Sequence, residues 1–214
     1  MNTQRLCGLF GTFILLTSPF ARPAELDARL TDSLGHPLAD AVLTATPLFP
    51  VPAASAPHKM RIVDQIDKEF VPYVIAIDVN TKVSFPNRDN IRHEVYSFSP
   101  AKKFELPLYA GRRAPPVLFD KPGVVVLGCN IHDWMIGYIY VSATPYYAQS
   151  GTDGYARLSG LPDGDYTLKI WHPQLIGNED DTARNVTLSS PAPRTENWKL
   201  AIRPRPSPHP DAAW

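Results

Sequence analysis

The sequence predicts an all-β protein, and three observations lead there. No segment beyond the first two dozen residues sustains a helical apolar period. Short alternating or β-branched runs recur along the chain, and Gly, Pro, Asn and Asp punctuate them at strand-like intervals.

In chain order, Leu26, Ala28 and Leu30 alternate ahead of the turn Asp32-Ser33-Leu34-Gly35, and Ala41-Val42-Leu43 follows as a second strand. A Pro- and Ala-rich segment from Pro47 to Pro57 interrupts. Strands are expected next over Tyr73 to Val79, Thr81 to Phe85 and His93 to Phe98, with Asn80 and residues 86–90 as turns. Gly123 to Leu127 is a continuous apolar run, and Tyr138 to Val141 alternates shortly after it. The pairs Asp153-Gly154 and Asp163-Gly164 favour hairpin turns because both residue types tolerate positive φ. Tyr155 to Leu158 and Tyr166 to Trp171 flank them, with weaker strands near Val186 and Trp198. From Arg203 the run Pro-Arg-Pro-Ser-Pro-His-Pro cannot sustain a hydrogen-bonded ladder, so residues 203–214 are expected to be a disordered tail.

At 214 residues the chain can hold one large β domain or two small ones, either with a real core. Its 21 basic and 21 acidic residues form no basic block, which excludes the electrostatic footprint of a nucleic-acid binder. Arg5, the apolar run from Leu6 to Leu16 and the small residues before Ala24 have the architecture of a secretory leader, assigned to residues 1–24. The run is too short to span a bilayer, so export to the periplasm without a retained membrane anchor is expected. Cys7 falls inside that leader and leaves Cys129 as the lone cysteine of the mature chain. A lone thiol in an oxidising compartment needs burial, a partner chain or a metal.

Around Cys129 the sequence is specific. Cys129-Asn130-Ile131-His132-Asp133-Trp134-Met135 sets a thiolate, an imidazole and a thioether at three-residue intervals between two strands. His93 supplies a second imidazole 36 residues upstream. Taken singly, each histidine reads as a surface residue and Met135 as core. Together beside the only mature cysteine, they match the His2Cys trigonal set with a weak axial Met that holds a single type 1 copper ion. Zinc is the rival metal, but structural zinc sites do not recruit thioether sulfur.

On these residues the chain resembles the cupredoxin family, and the C-x2-H-x2-M loop is similar to that of amicyanin. The resemblance runs from about Met60 to Ala143 and includes Phe70-x-Pro72, Val83-Ser84-Phe85-x-Asn87, His93 and Pro122-Gly123. It implies a Greek-key β-sandwich over residues 58–143, with His93, Cys129 and His132 as in-plane ligands and Met135 as the axial one. Many members carry Asn directly after the first histidine, where it ties the two ligand loops together; this chain has Glu94. The flanks, 25–57 and 144–202, resemble a carboxypeptidase-regulatory-like or transthyretin-like sandwich split by the copper segment, on Gly35-His36-Pro37-Leu38 and Leu161-Pro162-Asp163-Gly164-Asp165-Tyr166.

The function expected is one-electron transfer to a redox partner such as a cytochrome or a periplasmic dehydrogenase, with His132 beside Trp134 as the exit. A copper carrier or storage protein, or a non-redox envelope-binding module, are the alternatives. No enzymatic role is expected, because His36, His58, His172 and His209 are scattered through turns and tail and offer no second cluster. No Ser-His-Asp, paired-carboxylate or phosphate-loop signature stands out either.

Overall fold

The computed structural model describes residues 23–51, 59–111, 114–190 and 192–205. The leader through residue 22, Cys7, His58, His209 and the tail beyond 205 lie outside the described residues. Every element is a strand apart from one short 3-10 turn, Glu179–Thr182, and the all-β expectation holds.

The two ends of the described chain build one sandwich. Its strands are β1 (Ala24–Asp32), β2 (Val42–Pro47), β13 (Tyr147–Gln149), β14 (Tyr155–Leu161), β15 (Gly164–Trp171), β16 (Arg184–Leu188) and β17 (Arg194–Leu200). One sheet has the order β14-β1-β17 and the other β13-β2-β15-β16. Alternation puts Leu26, Ala28 and Leu30 of β1 inside, against Leu158, Tyr166, Leu168, Ile170, Trp198 and Leu200. Because β1 opens at Ala24, a cut after that residue would remove its first, buried position.

The middle of the chain builds a second set of strands: β3 (Arg61–Ile62), β4 (Asp64–Ile66), β5 (Glu69–Val71), β6 (Val74–Asp78), β7 (Thr81–Ser84), β8 (His93–Ser99), β9 (Lys102–Tyr109), β10 (Val117–Phe119), β11 (Gly123–Leu127) and β12 (Gly137–Ser142). They assemble as β10-β7-β3, β11-β12-β6, the hairpin β8-β9 and the hairpin β4-β5. Backbone bonds between Tyr96 and Gly128, 3.0 and 3.1 Å, join β8 to the end of β11. The core between them holds Phe70, Ile75, Ile77, Val83, Phe85, Val95, Phe119, Val125, Leu127 and Ile139, and it continues without a break into Cys129 and Met135.

Strands β2, β6 and β12 are buried on both faces over most of their length. One face of each serves its own core. The other meets in a third cluster of Val42, Val74, Ala76 and Tyr140, with Tyr73, Tyr138, Tyr147 and Trp171 packed around it. The sandwiches therefore share a wall of aromatic rings. Tyr138 and Tyr140 stand 5.9 and 5.5 Å from Trp171, ring centre to ring centre.

The expectation of disorder from Arg203 fails for the first three residues of that tail. Arg203 donates its N–H to the Gln174 carbonyl at 2.8 Å. The Arg205 guanidinium lies 3.6 Å over the Tyr73 ring and 3.7 Å from Glu69 Oε2. Proline removes ladder donors but does not prevent such side-chain anchoring.

Candidate metal centre

The centre forms where β11 leaves the core and β12 re-enters it. Gly128 and Gly137 bracket the turn at two close approaches. A Cβ on Gly128 would sit 2.7 Å from the Tyr96 ring, and one on Gly137 would sit 2.8 Å from the Cβ of Phe70. Between them the backbone folds tightly, with Met135 N–H donating to the His132 carbonyl at 3.0 Å. His93 opens β8 on the neighbouring strand, so the Tyr96–Gly128 bridge brings it alongside Cys129.

The ligand atoms of His93, Cys129 and His132 all lie within 4.8 Å of one another. His93 Nδ1 and Cys129 Sγ are 3.8 Å apart, and the two imidazole rings are 5.1 Å apart between centres. Metal bonds of about 2.0 Å to imidazole and about 2.3 Å to thiolate, at a trigonal angle, separate two such donors by about 3.7 Å. The pair therefore has the spacing of donors to one ion. All four candidate residues are buried: His93 is 0%, Met135 1%, Cys129 3% and His132 8% exposed. His132 is the most accessible of them, and its ring stands 5.0 Å from that of Trp134. Cys129 and Met135 also line a cavity of about 470 Å³ together with Tyr96, Phe98 and Val126.

The surroundings hold the donors in place. Glu94, where the resemblance implies Asn, accepts a 2.8 Å hydrogen bond from Asn130 Nδ2. The segments carrying His93 and Cys129 are thus tied after all, with a carboxylate in place of an amide. Asp89 Oδ2 lies 2.8 Å from His93 Nε2, while the backbone N–H groups of Asp67 and Lys68 reach the same carboxylate at 2.7 and 2.9 Å. Burial pushes the Asp89 carboxyl up, but the hydrogen bonds from Lys68, His93 and Asp67 outweigh it and hold the group below the usual carboxylate range. Asn87 in turn fixes the Asp89 turn: its Oδ1 accepts the Asp89 N–H at 2.9 Å, and its amide donates to the Ile91 and Tyr109 carbonyls.

Sequence reading took residues 86–90 as a turn, marked Asn87 only as part of the resemblance, and missed Asp89. A carboxylate four residues before a candidate histidine was the available signal, but its value depended on a hairpin tip that only the fold supplies. Of the other histidines, His36 is paired with Asp32 at an exposed turn and His172 is buried, its Nδ1 accepting the Gln174 N–H at 3.1 Å. Neither belongs to the cluster.

No protein-family model matches this chain, and no curated protein matches it. Among solved structures it is similar to the Cu-containing nitrite reductase of Thermus scotoductus SA-01, with 24% identity and a TM-score of 0.39 over 55% of this chain and 28% of that one. It is also similar to a mutant of amicyanin in its reduced Cu(I) form at pH 4, with 22% identity and a TM-score of 0.36 over 46% of this chain and 99% of that one. A purple cupredoxin from Nitrosopumilus maritimus matches at 24% identity and a TM-score of 0.34, over 39% of this chain and 98% of its own. The chain thus spans about a quarter of the nitrite reductase and nearly all of the two smaller proteins.

Proposed function

We propose that this chain is an exported single-copper electron carrier of the cupredoxin kind. His93, Cys129 and His132 would be the in-plane ligands and Met135 the axial one. The observation that carries this reading is the convergence of two imidazoles and the thiolate within 4.8 Å, inside a buried pocket. Copper so bound would supply reversible one-electron exchange between Cu(I) and Cu(II).

The chain's own residues would do the rest. The Cys129–Met135 turn and the Glu94–Asn130 bond hold the donors at fixed separations, so little has to rearrange when the charge changes. Burial of all four residues would limit their contact with water. His132, the most accessible donor, would pass the electron to a partner such as a cytochrome or a periplasmic dehydrogenase. The flanking segments 25–57 and 144–202 would form a separate discontinuous module on which the copper segment 58–143 is mounted. Separate hydrophobic clusters in the two sets of strands support that division.

The test is the visible spectrum of the copper-loaded protein. An intense thiolate-to-Cu(II) band, absent in Cys129→Ser, is expected. A colourless Cu(II) form at full occupancy would overturn the reading.

A further inference from the structure

The histidine that opens β8 is gripped on both sides. Its Nδ1 faces Cys129 Sγ at 3.8 Å and its Nε2 faces a carboxylate oxygen of Asp89 at 2.8 Å. An imidazole that presents one nitrogen to a metal carries its proton on the other, so Nε2–H would donate to Asp89 and Nδ1 would keep the lone pair.

Asp89 is itself immobilised. Both of its oxygens accept backbone N–H groups from the tip of the β4-β5 hairpin. That tip is a two-residue hairpin turn in which Asp67 and Lys68 both adopt left-handed φ, +53° and +60°, the geometry such turns favour. It leaves a pair of N–H groups aimed at one carboxylate. Asn87 holds the same turn from behind. At 0% exposure, His93 has no room to turn its ring away.

We propose that Asp89, clamped by the Asp67-Lys68 hairpin tip, is a positioning residue of the metal centre that orients His93 and strengthens Nδ1 as a donor. This rests on the reading of His93 as a metal ligand. A carboxylate hydrogen-bonded to the far side of an imidazole increases electron density on the ligating nitrogen. The more highly charged Cu(II) gains more from that density than Cu(I), so Asp89 lowers the reduction potential. The hairpin tip sets the effect by holding the carboxylate fixed against His93.

The experiment compares the full chain with Asp89→Asn and uses copper and zinc separately as probes. In Asp89→Asn the Zn(II) affinity is expected to fall between about tenfold and a hundredfold. The ratio of Cu(II) to Cu(I) affinity is expected to fall about tenfold, a rise in potential of about 59 mV. Should Asp89→Asn fail to fold, the parent protein loaded with diamagnetic Cu(I) decides. Nitrogen-15 NMR is expected to show His93 metallated at Nδ1, with an exchange-protected Nε2–H.

A folded Asp89→Asn protein with parental Zn(II) affinity and potential would overturn the proposal, as would metallation at Nε2. The copper reading fails separately. If the parent is colourless with Cu(II) while Asp89→Asn still loses Zn(II) affinity tenfold, Asp89 keeps its role and only the blue-copper assignment falls.

Discussion

Asn130 donates to Glu94 across 2.8 Å and thereby ties the turn carrying Cys129, His132 and Met135 to the strand that begins at His93. The bond is charge-assisted and half-buried, the kind in which loss of one partner leaves the other poorly satisfied.

Glu94→Ala should therefore destabilise the protein by about 1–3 kcal/mol and loosen the two ligand segments relative to each other. Glu94→Gln, which keeps a carbonyl acceptor, should stay much closer to the parent. Thermal denaturation with and without copper checks this. Equal melting temperatures in all three proteins would mean that the contact contributes nothing.

On the proposed reading of Met135 as the axial donor, it should tune the centre more than hold it. Met135→Leu should keep the metal and raise the reduction potential, because losing a donor disfavours the more highly charged ion. Met135→Gln should lower it through a harder oxygen donor. Voltammetry on the three proteins decides, and identical potentials would make Met135 purely a core residue.

Gly128→Ala should disturb the centre without touching a candidate ligand. The new methyl would meet the Tyr96 ring at 2.7 Å, and an overpacked contact of this sort costs about 1–3 kcal/mol. Relief requires Tyr96 or the start of the Cys129 turn to move. A lower melting temperature accompanied by a shifted thiolate band is the expected pair of readouts.

His172 gives the fold a pH dependence separate from the metal. Burial lowers its pKa from an ordinary 6.5 to about 4, with only partial compensation from the Ala39 backbone. The unfolded chain thus binds the proton more readily, and the stability this group contributes is complete above pH 6.5 and is lost as pH falls towards 4. The protein should be about 2 kcal/mol less stable at pH 5 than at pH 7 on this account. Urea denaturation at the two pH values measures the difference, and His172→Gln should largely remove it. Copper spectra should survive that substitution and collapse in His93→Ala.

Much of this architecture was legible because burial on one face or two leaves different marks. The alternation of Leu26, Ala28 and Leu30 announced a strand with one wet face, whereas the unbroken run in β11 suggested full burial and the structure buries only Val125 and Leu127, leaving Val126 exposed. Strand β9 was missed: its lysines and Pro107 belong to a strand paired only with β8, where a ladder tolerates them. The parallel pairings β1-β17 and β12-β6 leave no local signal, since they join segments with no turn between them. At the centre, His93, Cys129 and His132 were singled out from chemistry and spacing alone, and the fold brings these three together. Glu94 was marked by its position but not its Asn130 partner, and Asp89 was not marked at all, because these contacts join hairpin tips and loops that meet only in three dimensions.

The pairing of β1 with β17 also dictates an order of events. Leu26 meets Arg194 and Asp32 meets Leu200, so the sheet around β1 closes only when almost the entire chain has been synthesised. The strands around Cys129 are all present by Ser142 and need no such distant partner. Closing the longer loop carries the larger entropic cost, so the inner sandwich should gain structure first. Until the C-terminal strands arrive, Val74, Ala76, Tyr138 and Tyr140 lack their cover from Val42 and Trp171. A chain cut short after Ser142 would present that face to solvent, and self-association there is its expected fate.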